Sequence, residues 1–192
     1  MAWQAPIFLT GFMASGKSTL GRALASAEPS VRFVDLDEAI EEAAGKSVSE
    51  IFADGGEEAF RQLESQVLRQ QSRPGTVIAC GGGTPCRSEN VDFMHSAGTM
   101  VYLDATVDTI VRRLIEAPTG KRPLLEAFGA DRDALAVEVR RMLAARAEAY
   151  SHADVVFDAN RLDDEEQVAE SVARFFTLFP TLTTHHGSSH TP

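Results

Sequence analysis

The sequence predicts an α/β fold: a five-stranded parallel sheet in one domain, flanked by helices on both faces. Three observations carry that reading. Short apolar runs alternate with helical patterns along the chain. The length, 192 residues, suits one sizeable core. The first apolar run also feeds straight into a Gly-rich loop ending in Gly16-Lys17-Ser18-Thr19, with a helical pattern beyond it.

Taken in order, Ile7 to Thr10 reads as a buried strand and Lys17 opens a helix carrying Leu20, Ala23 and Leu24. Val31 to Val34 is the second strand, and Leu36 to Ala44 a helix stopped by Gly45. Ser47 and Glu50 form a capping box for a short helix that ends at Asp54-Gly55-Gly56. Glu57 to Gln71 is a longer amphipathic helix with Phe60, Leu63, Val67 and Leu68 on its apolar side. Thr76 to Cys80, Met100 to Leu103 and Asp154 to Phe157 are the remaining strands. Helices are expected over Val91 to Ala97, Val107 to Ile115, Asp131 to Tyr150 and Glu165 to Phe176. Between Glu116 and Glu126, Pro118, Gly120 and Pro123 forbid a continuous helix, and Lys121 and Arg122 make the segment a candidate mobile lid. Residues 1–180 are expected to form the domain, and the Ser-, Thr- and His-bearing residues 181–192 a disordered polar tail.

The net charge of −10 argues against nucleic acid or an anionic membrane as partner. An anionic substrate must then meet a local basic cluster. No apolar run approaches the roughly 20 residues of a membrane span, and Met1 to Pro6 lack the regions of a signal peptide, so a cytoplasmic protein is expected. The two cysteines are too few for a disulfide framework: Cys80 reads as a buried thiol at a strand end and Cys86 as a loop thiol.

Gly11-Phe12-Met13-Ala14-Ser15-Gly16-Lys17-Ser18 is a complete phosphate-binding loop between a strand and a helix. Its backbone N–H groups and the helix start suit phosphates, with Lys17 on the β- and γ-phosphates and Ser18 on Mg²⁺. A nucleoside triphosphate site follows. Asp35-Leu36-Asp37 lies where the second strand ends, so one carboxylate can serve the metal and the other a substrate hydroxyl. The competing reading is a pair of helix N-terminal acids favoured by the dipole, which suits Asp37 taken alone. Arg61 and Glu64 sit one turn apart, as a surface ion pair or as a guanidinium held to grip an anion. Gly81-Gly82-Gly83 after a core strand suggests that a ligand approaches the backbone. Arg146 and Tyr150 close a long helix.

Together, the loop Gly11 to Thr19, Asp35-Leu36-Asp37, Phe60-Arg61 with Glu64, the triple glycine, Arg122-Pro123-Leu124-Leu125 and Arg146 with Tyr150 resemble the shikimate kinase family in order and nearly in spacing, from about Ile7 to Phe176. The resemblance implies a single-domain P-loop kinase related to nucleoside monophosphate kinases. It would transfer the γ-phosphoryl of ATP to the 3-hydroxyl of shikimate, a step toward chorismate and the aromatic amino acids. It implies Lys17, Asp37 and Arg122 as catalytic residues. Ala14, Ser15, Gly16, Lys17, Ser18, Thr19, Arg122 and Arg161 would hold ATP. Asp37, Arg61, Gly82 and Arg146 would hold shikimate, with Glu64 orienting Arg61, and Ser18 and Asp35 would serve Mg²⁺. A monomer acting on this small molecule is expected. The stretch between Arg113 and Arg122 is longer than the family pattern, and Leu162-Asp163-Asp164 departs from it, which leaves Arg112, Arg113 and Arg161 as alternative adenine contacts. A gluconate kinase shares the loop, but the Asp pair, triple glycine and arginine pair favour shikimate. A nucleotide switch is disfavoured by the lack of an Asn-Lys-x-Asp guanine-reading motif, and an inactive relative by the presence of Lys17, Asp37, Arg61 and Arg146.

Overall fold

The structure, a computed structural model, describes residues 3–116, 128 and 131–180. Strands β1 (Ile7–Thr10), β2 (Arg32–Asp35), β3 (Thr76–Ala79), β4 (Thr99–Asp104) and β5 (Val155–Asp158) form one parallel sheet in the order β2-β3-β1-β4-β5. Every expected strand is present. β2 begins and ends one residue later than expected, which makes Asp35 its last residue. The helices are α1 (Lys17–Ala27), α2 (Leu36–Ala44), α3 (Val48–Gln71), α4 (Ser88–Ala97), α5 (Val107–Glu116), α6 (Arg132–Ser151) and α7 (Glu165–Leu178).

Side-chain alternation along β1 divides the core into two layers. Ile7 and Leu9 face a cluster with Leu20 and Leu24 of α1, Ile110 and Leu114 of α5, Leu135 and Val139 of α6, and Phe175 of α7. Phe8 faces the other way, onto Leu36 and Ile40 of α2, Phe60, Val67 and Leu68 of α3, and Met94 of α4. Helices therefore cover both faces, as a fully buried parallel sheet requires. The chain passes from β1 out to β2, returns to β3, then crosses β1 to reach β4. That change of direction opens a crevice at the carboxyl ends of β1 and its neighbours, the place where ligands bind in open α/β sheets.

Two local expectations are met and two are adjusted. The two helices expected on either side of Gly55-Gly56 are both present within α3, separated by a kink at Gly56, whose φ 70°, ψ −173° is not helical. That backbone conformation is open to glycine at no steric cost. The expected capping box is present: Ser47 Oγ accepts from the Glu50 backbone N–H at 3.3 Å, and Glu50 Oε2 accepts from the Ser47 backbone N–H at 2.8 Å. Helix α4 begins at Ser88 rather than Val91, since its polar first turn carries no apolar periodicity. Cys86 is not in an irregular loop but ends the 3₁₀ turn Thr84–Cys86, where it is exposed, while Cys80 is buried as expected. Of the expected lid, only Glu116, the last residue of α5, is described; Lys121, Arg122 and the tail 181–192 lie outside the described residues.

Candidate active site

The phosphate loop leaves β1 at Gly11 and enters α1 at Lys17. Ala14 and Gly16 both have positive φ, 60° and 101°. Successive turns of this kind point neighbouring backbone N–H groups into one concavity. The Lys17 ammonium bridges back across the loop, donating to the Gly11 and Phe12 carbonyls at 2.9 and 2.8 Å. Burial pushes its pKa down to about 8, against the pull of the Asp37 and Asp35 carboxylates, and the Arg146 charge lowers it further. Ser18 Oγ donates to Asp35 Oδ2 at 2.7 Å. Thr19 is exposed on the first turn of α1.

Asp35 and Asp37 meet differently from the expectation of two carboxylates sharing one face of a strand. Asp35 ends β2 and caps α2, its Oδ1 accepting from the Asp37 backbone N–H at 3.2 Å, so Asp37 lies in the first helical turn. The cap, rather than strand alternation, brings the pair together. Asp35 is thus a helix cap and a partner of Ser18 at once. The Asp37 carboxyl opens onto the crevice, with protein packed behind it. That desolvation raises its pKa to about 6; the carboxylates of Asp35 and Glu64 add to the rise, while Lys17 and Arg61 oppose it.

The triple glycine is where the acceptor side assembles. A Cβ on Gly81 would lie 3.3 Å from Asp37 Oδ1 and 3.2 Å from Glu64 Oε1. On Gly82 it would lie 3.0 Å from a guanidinium nitrogen of Arg146, and on Gly83 2.6 Å from one of Arg61. Each glycine therefore leaves room for a different functional side chain. The close approach expected of a ligand is made first by the protein's own charged groups. The Arg61–Glu64 pair is not a surface ion pair: Glu64 is 0% exposed and bonds Arg61 at 2.9 Å, and the Arg61 side chain is 19% exposed. Glu64 Oε1 also accepts from Thr84 Oγ1 at 2.7 Å. Arg61 stands 5.1 Å from the Phe60 ring centre, and Arg146 5.6 Å from that of Phe12. Tyr150 donates its hydroxyl to the Gly82 carbonyl at 3.0 Å and stacks on Tyr102. One crevice thus presents a phosphate cradle, a half-buried ammonium, two guanidinium groups and a carboxylate of raised pKa.

A family profile described as shikimate kinase matches residues 13–177. The chain belongs to the shikimate kinase family. A shikimate kinase of Bacteroides thetaiotaomicron is 41% identical over 173 residues, covering 90% of this chain and 97% of the relative. One from Gloeobacter violaceus is 43% identical over 169 residues, covering 88% and 90%. Among solved structures, the B. thetaiotaomicron shikimate kinase superposes with a TM-score of 0.84 at 40% identity, covering 92% of this chain and 98% of that one. A shikimate kinase from Acinetobacter baumannii in complex with shikimate gives 0.76 at 29% identity, covering 91% and 92%.

Against that family background the nucleotide side holds residues that sequence reasoning left open or missed. Arg113 reaches the phosphate loop, donating to the Ser15 and Ala14 carbonyls at 3.2 and 3.4 Å and to the Ala159 carbonyl at 2.9 Å. Asp163 binds Arg113 at 2.6 Å and Arg112 through its other oxygen. Arg161 instead turns to Glu170 at 2.9 Å, with its side chain 63% exposed. The unfamiliar Asp163 thus has a structural use as the anchor of two neighbouring arginines. The adjacency of Arg112 and Arg113 hinted at the pair, but nothing in the local pattern linked them to Asp163. Thr84 was missed for the same reason.

Proposed function

We propose that this shikimate kinase family member transfers the γ-phosphoryl of ATP to the 3-hydroxyl of shikimate, giving shikimate 3-phosphate and ADP. The observation that carries the reading is the triple glycine, whose three residues abut Asp37, Arg146 and Arg61 in turn beside the phosphate loop. Shikimate has one carboxylate and three hydroxyls. Two guanidinium groups suit the carboxylate, because their planar forks match its two oxygens. Asp37 suits the hydroxyls, with the Gly82 backbone as a further contact.

In the reaction, the 3-hydroxyl oxygen forms a bond to the γ-phosphorus as the bond to the bridging β–γ oxygen breaks, and ADP departs. Such transfers depend chiefly on positioning and charge neutralisation. Asp37, with a pKa of about 6, is ionised near neutrality yet basic enough to take the hydroxyl proton. Lys17 supplies positive charge to the β- and γ-phosphates, and the phosphate loop from Ala14 to Thr19 supplies N–H donors. Ser18 and Asp35 place two hard oxygens side by side, a donor set that fits Mg²⁺. Bound there, Mg²⁺ would neutralise phosphate charge. Arg122 is proposed to stabilise the migrating phosphoryl group, and Arg161 remains a proposed nucleotide contact. A monomeric, cytoplasmic enzyme is inferred, with residues 1–180 as its domain; light scattering checks the oligomeric state.

The test is ADP release in a coupled assay with shikimate and with gluconate. Release is expected only with shikimate and Mg²⁺ present. Equal turnover with gluconate, or none with shikimate, contradicts the reading.

A further inference from the structure

We infer that Thr84 is a positioning residue for the carboxylate clamp, acting on Arg61 through the buried Glu64, an inference that rests on the shikimate reading above. Glu64 has no exposed surface, so water cannot hydrate its two oxygens. A buried carboxylate needs specific partners for both. Arg61 takes Oε2 at 2.9 Å and Thr84 Oγ1 takes Oε1 at 2.7 Å, so the carboxylate is held from both sides. Thr84 is itself fully buried and fixed at its backbone. Its N–H donates to the Gly81 carbonyl at 3.0 Å, and its carbonyl accepts from Asn90 Nδ2 of α4 at 3.1 Å. The chain of contacts runs from α4 through Thr84 and Glu64 to the Arg61 guanidinium.

The Thr84 hydroxyl does something its methyl group cannot. Without it, Oε1 is left buried beside Gly81, with Asp37 nearby and no replacement donor among the contacts described. Glu64 then has reason to rotate toward Arg61 or to draw in water, and either change shifts the guanidinium from the position for which Gly83 leaves room. The effect should fall on recognition of the substrate carboxylate and not on the nucleotide, because Lys17 and the phosphate loop do not touch this chain of contacts. Thr84 follows the triple glycine directly, so the backbone that lines the acceptor site and the hydroxyl that orients its clamp are set by one short segment.

The experiment compares Thr84→Val, Thr84→Ala and Thr84→Ser with the wild-type enzyme, using shikimate and its neutral methyl ester. Thr84→Val keeps the shape and removes the donor. It should raise KM for shikimate about tenfold, the scale of one hydrogen bond to a charged group, while KM for ATP is unchanged. The preference for acid over ester should shrink by a similar factor, and Thr84→Ser should restore it. If Thr84→Val fails to fold, Thr84→Ala against Thr84→Ser poses the same question. An unaltered acid-to-ester preference in the Val or Ala variant, or equal loss toward ATP and shikimate, overturns the inference. The wild-type arm separates the two proposals. Absence of shikimate turnover there refutes the proposed function and this inference with it. Normal wild-type turnover with indifferent Thr84 variants refutes this inference alone.

Discussion

The two halves of the crevice are built from different materials. The nucleotide half is largely backbone: one unbroken stretch from Gly11 to Ser18, shaped by positive φ at Ala14 and Gly16 and bridged by Lys17. The acceptor half is side chains drawn from separate elements. Asp37 comes from α2, Arg61 and Glu64 from α3, Thr84 from the 3₁₀ turn and Arg146 from α6. Phosphate is bound well by many weak, local N–H dipoles. A small ring with one carboxylate needs a few charges at fixed positions, and those must be held by a second layer of buried partners. The difference teaches that the first half tolerates little change of backbone, and the second little change of side-chain orientation.

The largest effects should come where the halves meet. Asp37→Asn keeps the shape and removes the proton acceptor. Turnover should fall about a hundredfold to ten-thousandfold while ADP affinity, read by calorimetry, holds. A loss of only a few-fold would reduce Asp37 to an acid of the α2 first turn. Lys17→Ala should cost about a hundredfold to a thousandfold in turnover, with circular dichroism unchanged. Near-native turnover in a folded variant would mean that the loop does not place charge on the phosphates.

A pH profile joins the two halves in one curve. Asp37 must be ionised, and its raised pKa means that activity is lost as pH falls through about 6. Lys17 must be protonated, and its lowered pKa means loss as pH rises through about 8. A bell-shaped kcat/KM for the free enzyme is therefore expected between those limits. Retention of the acidic limb in Asp37→Asn would assign that limb to another group. The smallest effect is expected from Gly83→Ala. Gly83 has φ −101°, so the backbone accepts alanine, but the new Cβ would lie 2.6 Å from Arg61. A several-fold rise in KM for shikimate with KM for ATP unchanged is expected. Equal rises for both substrates would show a general disturbance of the crevice.

The same contrast explains what was legible in the sequence. The phosphate loop could be read because its residues are contiguous, and the five strands because each is a short apolar run between polar turns. Asp35 and Asp37 were visible as a pair, but the cap that joins them depends on where β2 ends, and that end lay one residue beyond the expected one. The status of Arg61–Glu64 turned on burial, which spacing along a helix cannot reveal: the i,i+3 relation is the same for a surface pair and for one sealed under Thr84. Thr84 and Asp163 were invisible because their partners lie 20 and about 50 residues away in sequence, across the fold. Long-range contacts of polar side chains leave no periodic trace.

The central claim is that Arg61 and Arg146 bind the substrate carboxylate while the phosphate loop is indifferent to it. The most direct measurement is the binding of shikimate and its neutral methyl ester by calorimetry, to wild type, Arg61→Ala and Arg146→Ala. Wild type should prefer the acid by roughly tenfold to a hundredfold, the range of a charged hydrogen bond, and both variants should discriminate little. If both variants still prefer the acid as strongly as wild type does, the carboxylate is held elsewhere and the account of the acceptor half is wrong.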